Sequence, residues 1–520
     1  MKGKIPDRAS SDGFLMKAGK LVFLDSAKEK DMPVANWLLW LLLIGGIIYF
    51  QHLANFSISI DDEVTGLRVT AKPMIGQGRW GFYLLETYFL DQPVIPFLPY
   101  FLFLIIMMAS FFIIVKTYDL AASWYRLISF PVFIGHPIYS FALEFNQLAF
   151  PLSVGILLIS CSVFLLGHGF WHEKGNLIRK ILLLFLVSLL LSFSVSIYQS
   201  LIFLFFISAI SIYFFRPFTT KNFISHFLRV ILVSALSVFL YWVILRLFLI
   251  FYGLKLDYIQ DFIHYQLIMD HPAEVLGKFW SEMIAVFSGD ESRYGARLSA
   301  SKGIIGISGV LILIQSVKTR DFLKIPLYGL LILIPFLMNL LAGSEMPLRS
   351  LVSVPFVLFV FLEYLLTQRL SFLRLLGVLF SGIMFFQILN ALSRYNAVNQ
   401  IRINHDRQMI QQVYEAIVSA NPNFNRDSTY VFDFYGYKSI PMPAYFAPVS
   451  STINGSVFQW DNGNPDRVAY FLRLHGYGKF KTLPPNLRQK LKPEYEKMPV
   501  WPDREAVKKK GSVTIIRMGK

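Results

Sequence analysis

Two things are scarce in this chain: cysteine and charge. One cysteine, Cys161, stands among 520 residues. A single thiol excludes an intrachain disulfide framework and a zinc site built from cysteines. Only 16% of residues are charged, against about a quarter in soluble domains. Acidic residues are the scarcer sign, 33 against 49 basic ones. A cleavable leader pattern is missing: the first 35 or so residues are polar and basic, and they precede any apolar run. No internal repeat and no low-complexity tract interrupts the chain.

What fills the sequence is apolar. Hydrophobic residues make up 55%, with 50 phenylalanines, which excludes an ordinary soluble protein and suits lipid-facing helices. The net charge of +16 could suggest a nucleic-acid partner. The basic residues fall between hydrophobic runs, however, so positive-inside topology accounts for them and nucleic acid is not expected.

Apolar runs near 37–54, 94–115, 127–144, 149–167, 180–197, 200–215, 230–251, 303–317, 325–342, 351–367 and 375–393 predict about eleven crossings. The loops then placed inside carry Lys116 and Arg126, Lys174 and Arg179, Arg216 and Arg229, Lys318 and Lys324, Arg369 and Arg374. The loop 252–302 on the other side carries seven acids, from Asp257 to Glu291. The expectation is an all-α polytopic membrane protein in three parts. Residues 1–36 form a cytoplasmic tail and the first span is an uncleaved anchor. Residues 37–393 form the membrane domain, with interfacial helices in the outer loops 55–93 and 252–302. Residues 394–520 turn polar, with β-like runs at STYVFDF and GSVTIIRM, and predict a small α/β domain outside.

One stretch stands against this apolar background. SISIDDEVTGLR places Asp61, Asp62 and Glu63 side by side just past the first span. Adjacent carboxylates at a bilayer edge repel one another and are costly to desolvate. They read as a solvated loop or as a catalytic base. An acidic triplet could also take a hard divalent cation, which is possible here and not required.

Other polar groups fall at the outer helix ends. Arg79, in GQGRW, lies beside a glycine and Trp80. Arg246 lies near the end of its span, Arg297 in the second loop and Arg349 in GSEMPLRS. Each reads as an anion-binding group or as a snorkelling or surface-paired arginine. Trp80 could stack on a sugar face. Asn146 and Gln147, and Tyr198 and Gln199 in a tight YQS turn, read as sugar-binding groups or helix caps. His136 before Pro137 reads as a helix break.

A sugar transfer from a phosphate-linked carrier needs a base for the acceptor hydroxyl and cations for the departing phosphate. Asp61-Asp62-Glu63 followed by GRW, the YQS turn and the GSEMPLRS turn resemble the GT-C glycosyltransferases. The chain is similar to the branch holding the serotype-converting O-antigen glucosyltransferases. The resemblance spans most of residues 37–393. It implies a bacterial inner-membrane enzyme with a periplasmic active site, an undecaprenyl-phosphate-linked glucose or other hexose donor and a lipid-linked glycan acceptor. It implies inversion at the sugar, no required cofactor and a base within Asp61 and Asp62, with Asp62 favoured. Arg349 or Arg246 would hold the donor phosphate. A transporter or flippase of lipid-linked sugars is the rival from another class; its charges would lie near the midplane, whereas the polar groups here cluster at the outer helix ends. A polysaccharide polymerase or ligase is the rival among enzymes.

Overall fold

A computed structural model describes residues 31–169, 177–216, 219–256, 264–440 and 455–519. The basic tail before residue 31, Lys174, Asp257 and Asp261 lie outside the described residues. Helix accounts for 71% of the described residues, and one small sheet lies among them near the C-terminus. An all-α polytopic membrane protein with a small α/β domain is therefore what the sequence forms.

The chain opens with α1 (Val34–Ile48) and α2 (Phe50–Ala54). Three short helices follow, α3 (Asp62–Thr65), α4 (Pro73–Gly76) and α5 (Trp80–Tyr88). The first hairpin of the bundle is α6 (Leu98–Thr117) and the pair α7 (Trp124–Gly135) and α8 (Pro137–Leu143). His136 divides that pair, because a residue before proline is driven out of the helical region. Then come α9 (Asn146–Gly169), α10 (Leu177–Ile197), α11 (Leu201–Phe215) and α12 (Thr220–Tyr252). Short helices α13 (Tyr265–Asp270), α14 (Pro272–Ser288) and α15 (Glu291–Tyr294) occupy the second loop. The bundle closes with α16 (Ala300–Thr319), α17 (Lys324–Leu333), α18 (Leu337–Ala342) and α19 (Val354–Leu366). Finally, α20 (Ser371–Ser419) runs for 49 residues from the bundle into the C-terminal domain.

Among the described residues, seven helices are long and apolar enough to cross a membrane. The other predicted crossings fall on α1, α11 and α19, which are apolar but shorter, and on the broken pair α7–α8. Helix α19 shows why short helices persist: all thirteen of its residues are buried. A helix apolar all round and covered by its neighbours need not match a lipid thickness. Its Glu363 is fully buried and faces Arg126 at 3.2 Å. Arg126, read from sequence as a loop charge, thus lies inside the protein, where a buried carboxylate needs a partner.

The C-terminal domain is a four-stranded sheet in the order β2-β1-β4-β3. Strand β1 (Thr429–Tyr435) pairs in parallel with β2 (Lys479–Thr482) and β4 (Val513–Arg517), and β3 (Val507–Lys510) joins β4 antiparallel. Helix α21 (Pro465–Leu474) links β1 to β2, and α22 (Pro485–Tyr495) follows β2. Phe432, Phe434, Val468, Leu472 and Ile516 form its core with Met409, Ile410, Val413 and Ile417 of α20. Ile60 joins the same core, so this domain seats directly on the approach to the acidic triplet.

Candidate functional site

The acidic triplet is a built turn. Asp61 takes a left-handed conformation (φ 72°), which aspartate tolerates better than most residues, and α3 starts at once behind it. The turn sends the three carboxylates to different partners. Asp62 is fully buried. Its Oδ2 accepts from the Ser59 N–H at 2.9 Å and from Asn146 Nδ2 at 2.6 Å, and its Oδ1 accepts from the Asn146 N–H at 3.2 Å. Asn146 is the first residue of α9, so the carboxylate also sits at the positive end of a 24-residue helix. Burial pushes the Asp62 carboxyl well above its usual range, against the pull of those donors.

Glu63 is equally buried. Burial raises its carboxyl to about 7, opposed by Arg467. Arg467 belongs to α21 of the C-terminal domain. Its Nη1 donates to Glu63 Oε1 at 2.5 Å, its Nη2 to Asp61 Oδ1 at 2.9 Å and its Nε to Asp461 Oδ2 at 2.7 Å. One arginine therefore reads both flanks of Asp62, from 404 residues away.

The polar turns singled out in the sequence meet here. Thr65 Oγ1 donates to Gln147 Oε1 at 3.1 Å. Phe145, beside Asn146, lies under the Arg349 guanidinium, 5.1 Å from its carbon. The Tyr198 hydroxyl donates to the Arg349 carbonyl at 3.2 Å, and the Arg79 guanidinium stands 5.2 Å over the Tyr198 ring. Gln199 Nε2 donates to the Gln77 carbonyl at 3.0 Å and the Tyr241 hydroxyl to the Gly78 carbonyl at 2.9 Å. Asp61, Asp62, Glu63, Asn146, Gln147, Tyr198, Gln199, Arg79 and Arg349 thus share one end of the bundle. The Arg349 guanidinium carries a buried nitrogen with no hydrogen-bond partner among the described residues.

The remaining candidates are engaged by other partners. Trp80 is buried, stacked on Phe248 and edge-on to Phe193. Arg246 is exposed over Trp242 on its own helix. Arg297 is exposed and pairs with Glu291 at 3.3 Å. Among the described residues, no group of three or more His, Cys, Asp and Glu side chains is placed to hold a metal.

Sequence reading missed Arg467, which lies in a polar stretch with no local pattern to mark it. It also missed Arg402 and Asp406 on α20, both fully buried. Arg402 donates to the Ile58 carbonyl at 2.8 Å, and Asp406 accepts from Ser456 Oγ at 2.6 Å. Together they tie the segment before Asp62 to the C-terminal domain. A further pair, Arg68 with Glu86, fixes the loop behind α3 onto α5. The periodic charge spacing on α20 (Arg402, Asp406) is the one signal that could have pointed to them.

The arrangement offers a buried, hydrogen-bonded carboxylate with raised basicity and two arginines within the same cluster of turns. Such a set can accept a proton and hold an anion. Residues 50–400 match the family model described as Glucosyl transferase GtrII. No curated protein and no solved structure matches the chain.

Proposed function

The chain belongs to the GtrII glucosyl transferase family, and from that premise we propose how its polar end works. It moves a hexose, glucose first among them, from undecaprenyl phosphate to a lipid-linked O-antigen or other surface glycan. The acceptor hydroxyl attacks the anomeric carbon from the face opposite the phosphate and inverts it. The bond from anomeric carbon to phosphate oxygen breaks, and its electron pair leaves with the polyprenyl phosphate. The acceptor's proton passes to the Asp62 carboxylate. Arg349 and Arg79 hold the departing phosphate, whose charge grows in the transition state. The reaction proceeds on the periplasmic face of the bacterial inner membrane, with the C-terminal domain on that side. No metal step is required.

The observation that carries this reading is the convergence of Asp62, Arg349 and Arg79 at one end of the bundle through Asn146, Phe145 and Tyr198. A raised Asp62 carboxyl makes a stronger base. Purified protein in lipid, given polyprenyl-phosphate glucose and a lipid-linked oligosaccharide, tests it. Asp62→Asn is expected to lose transfer by about 10²–10⁴-fold while still binding donor. Asp61→Asn and Glu63→Gln, measured separately, are expected to keep more activity. Transfer by Asp62→Asn at the wild-type rate would overturn the assignment.

A further inference from the structure

A second polar surface opens beside Asp62, apart from Arg79 and Arg349; Arg402 stands behind it, donating to Asn399 Oδ1 at 2.7 Å. This surface is a cleft between α2, residues 55–59, the start of α6, the end of α8 and the middle of α20. Apart from Leu143 and Leu392, every residue that lines it carries an amide, hydroxyl, imidazole or carboxylate group. None is lysine or arginine. The buried groups among them are costly to leave without a hydrogen bond, while Gln51, Asn55 and Gln400 are exposed at the mouth.

Several of these groups are left open. Ser140 Oγ and His52 Nδ1 are buried and have no hydrogen-bond partner among the described residues. The side chains of Asn396 and Gln400, on the cleft side of α20, make no hydrogen bond there either. The wall of the cleft is continuous with the acid. Ser59 lines it, donates its N–H to Asp62 and its hydroxyl to Glu144 Oε1 at 3.1 Å. Asn399 Nδ2 donates to Ser57 Oγ at 3.2 Å and braces the same segment.

From this we propose that the cleft is the acceptor subsite and takes a neutral sugar ring of the glycan. The inference rests on the glucosyl-transfer reading above and adds to it which side of Asp62 each substrate approaches. A phosphate belongs on the arginine side, because the cleft holds no cation and one carboxylate, Glu144. Sugar hydroxyls need paired donors and acceptors at close spacing, which amides and hydroxyls supply. The acceptor hydroxyl then reaches Asp62 past Ser59, while the donor phosphate sits across Asn146 and Phe145.

Full-length protein in detergent would be titrated with a panel of free neutral disaccharides and trisaccharides of rhamnose, galactose, mannose and glucose. Saturation-transfer NMR reads binding. At least one member is expected to bind, and Asn396→Ala and Gln400→Ala each to weaken it by about five- to tenfold, the loss of one hydrogen bond. Ser140→Ala, a smaller change, is expected to weaken it less. Inorganic phosphate is expected not to compete. In transfer assays the same variants should raise the acceptor KM and leave the donor KM unchanged. Failure of every sugar to bind, unchanged binding in the α20 variants with unchanged melting, or displacement by phosphate would each overturn the cleft. Asp62→Asn separates the two ideas: it should bind the sugar as wild type does, and full transfer by that variant would sink the base assignment while leaving the cleft standing.

Discussion

At the scale of single residues, burial decides the chemistry of the acidic turn. Three carboxylates in a row would ordinarily ionise together in water. Here Asp61 is 43% exposed, while Asp62 and Glu63 are fully enclosed. The difference follows from one left-handed residue, which turns Asp61 outward and the other two inward. Arg467 then neutralises the flanks. Removing it would strand Glu63 in a buried site, and breaking such a pair costs about 3 kcal/mol. Arg467→Ala is expected to lower the thermal midpoint measurably in detergent, and Arg467→Lys to recover part of the loss. An unchanged midpoint in the alanine variant would mean that this ion pair carries no stability.

Glu86 gives the cleanest pH test, because it lies outside the cluster around Asp62. Burial raises its carboxyl from 4.5 to about 7, against the pull of Arg68. The folded protein therefore binds a proton that the unfolded chain has released between those two values. Stability from this group is lost as pH rises through that window and levels off above about 7. Relative to wild type, Glu86→Gln is expected to gain stability from pH 5 to pH 8. The gain is on the order of 3 kcal/mol at most, taking each unit as about 1.4 kcal/mol. Melting curves of the two proteins across that range would show it. A constant gap between them would refute the raised carboxyl.

Among the elements, α5 shows how a short helix is locked in place. The sequence reads GQGRWGFYLLETYFLD, residues 76–91, as an interfacial helix on the membrane, and the nine residues of α5 bury Phe82 and Leu85 while Phe89 just beyond them is exposed. What periodicity could not reveal is how closely α5 meets α10. A Cβ on Gly81 would fall on Ser196 Oγ and lie 3.1 Å from the Phe193 carbonyl oxygen. Gly81→Val is therefore expected to push α5 off α10 at about 1–3 kcal/mol. It would carry Arg79 away from Tyr198 and raise the donor KM in a transfer assay. A wild-type donor KM would show that α5 need not sit so close.

The same scale shows what was legible in the sequence. The apolar runs fall on bundle helices, because twenty apolar residues bounded by basic loops have few other solutions. The runs STYVFDF and GSVTIIRM fall on β1 and β4, the two inner strands, whose apolar alternation marks them. Strands β2 and β3 are the edges, and their sequences KFKT and VKKK hide them. Lysines on an edge strand discourage pairing with another chain, and they also erase the alternation that would reveal it. Asp62 stood out because acids are rare here. Arg467 did not, since an arginine in a polar domain is unremarkable until the fold brings it to Glu63. Trp80 beside Arg79 suggested a stacking platform, yet its ring is occupied by Phe248.

Across the whole molecule, α20 joins the bundle to the sheet without a break. It is about 73 Å long at 1.5 Å per residue. Tyr395 and Asn399 belong to the bundle side, and Asp406 and Ile410 to the C-terminal domain, with just under two turns between Asn399 and Asp406. Such a rod is a screw thread. One residue added after Asn404 would turn the domain by about 100° and swing Arg467 off the acids. Seven added residues would bring it back to nearly the same bearing but about 10 Å too high. Angle and height are thus locked to one another by the pitch of a single helix, and the chain has one residue count at which both are right.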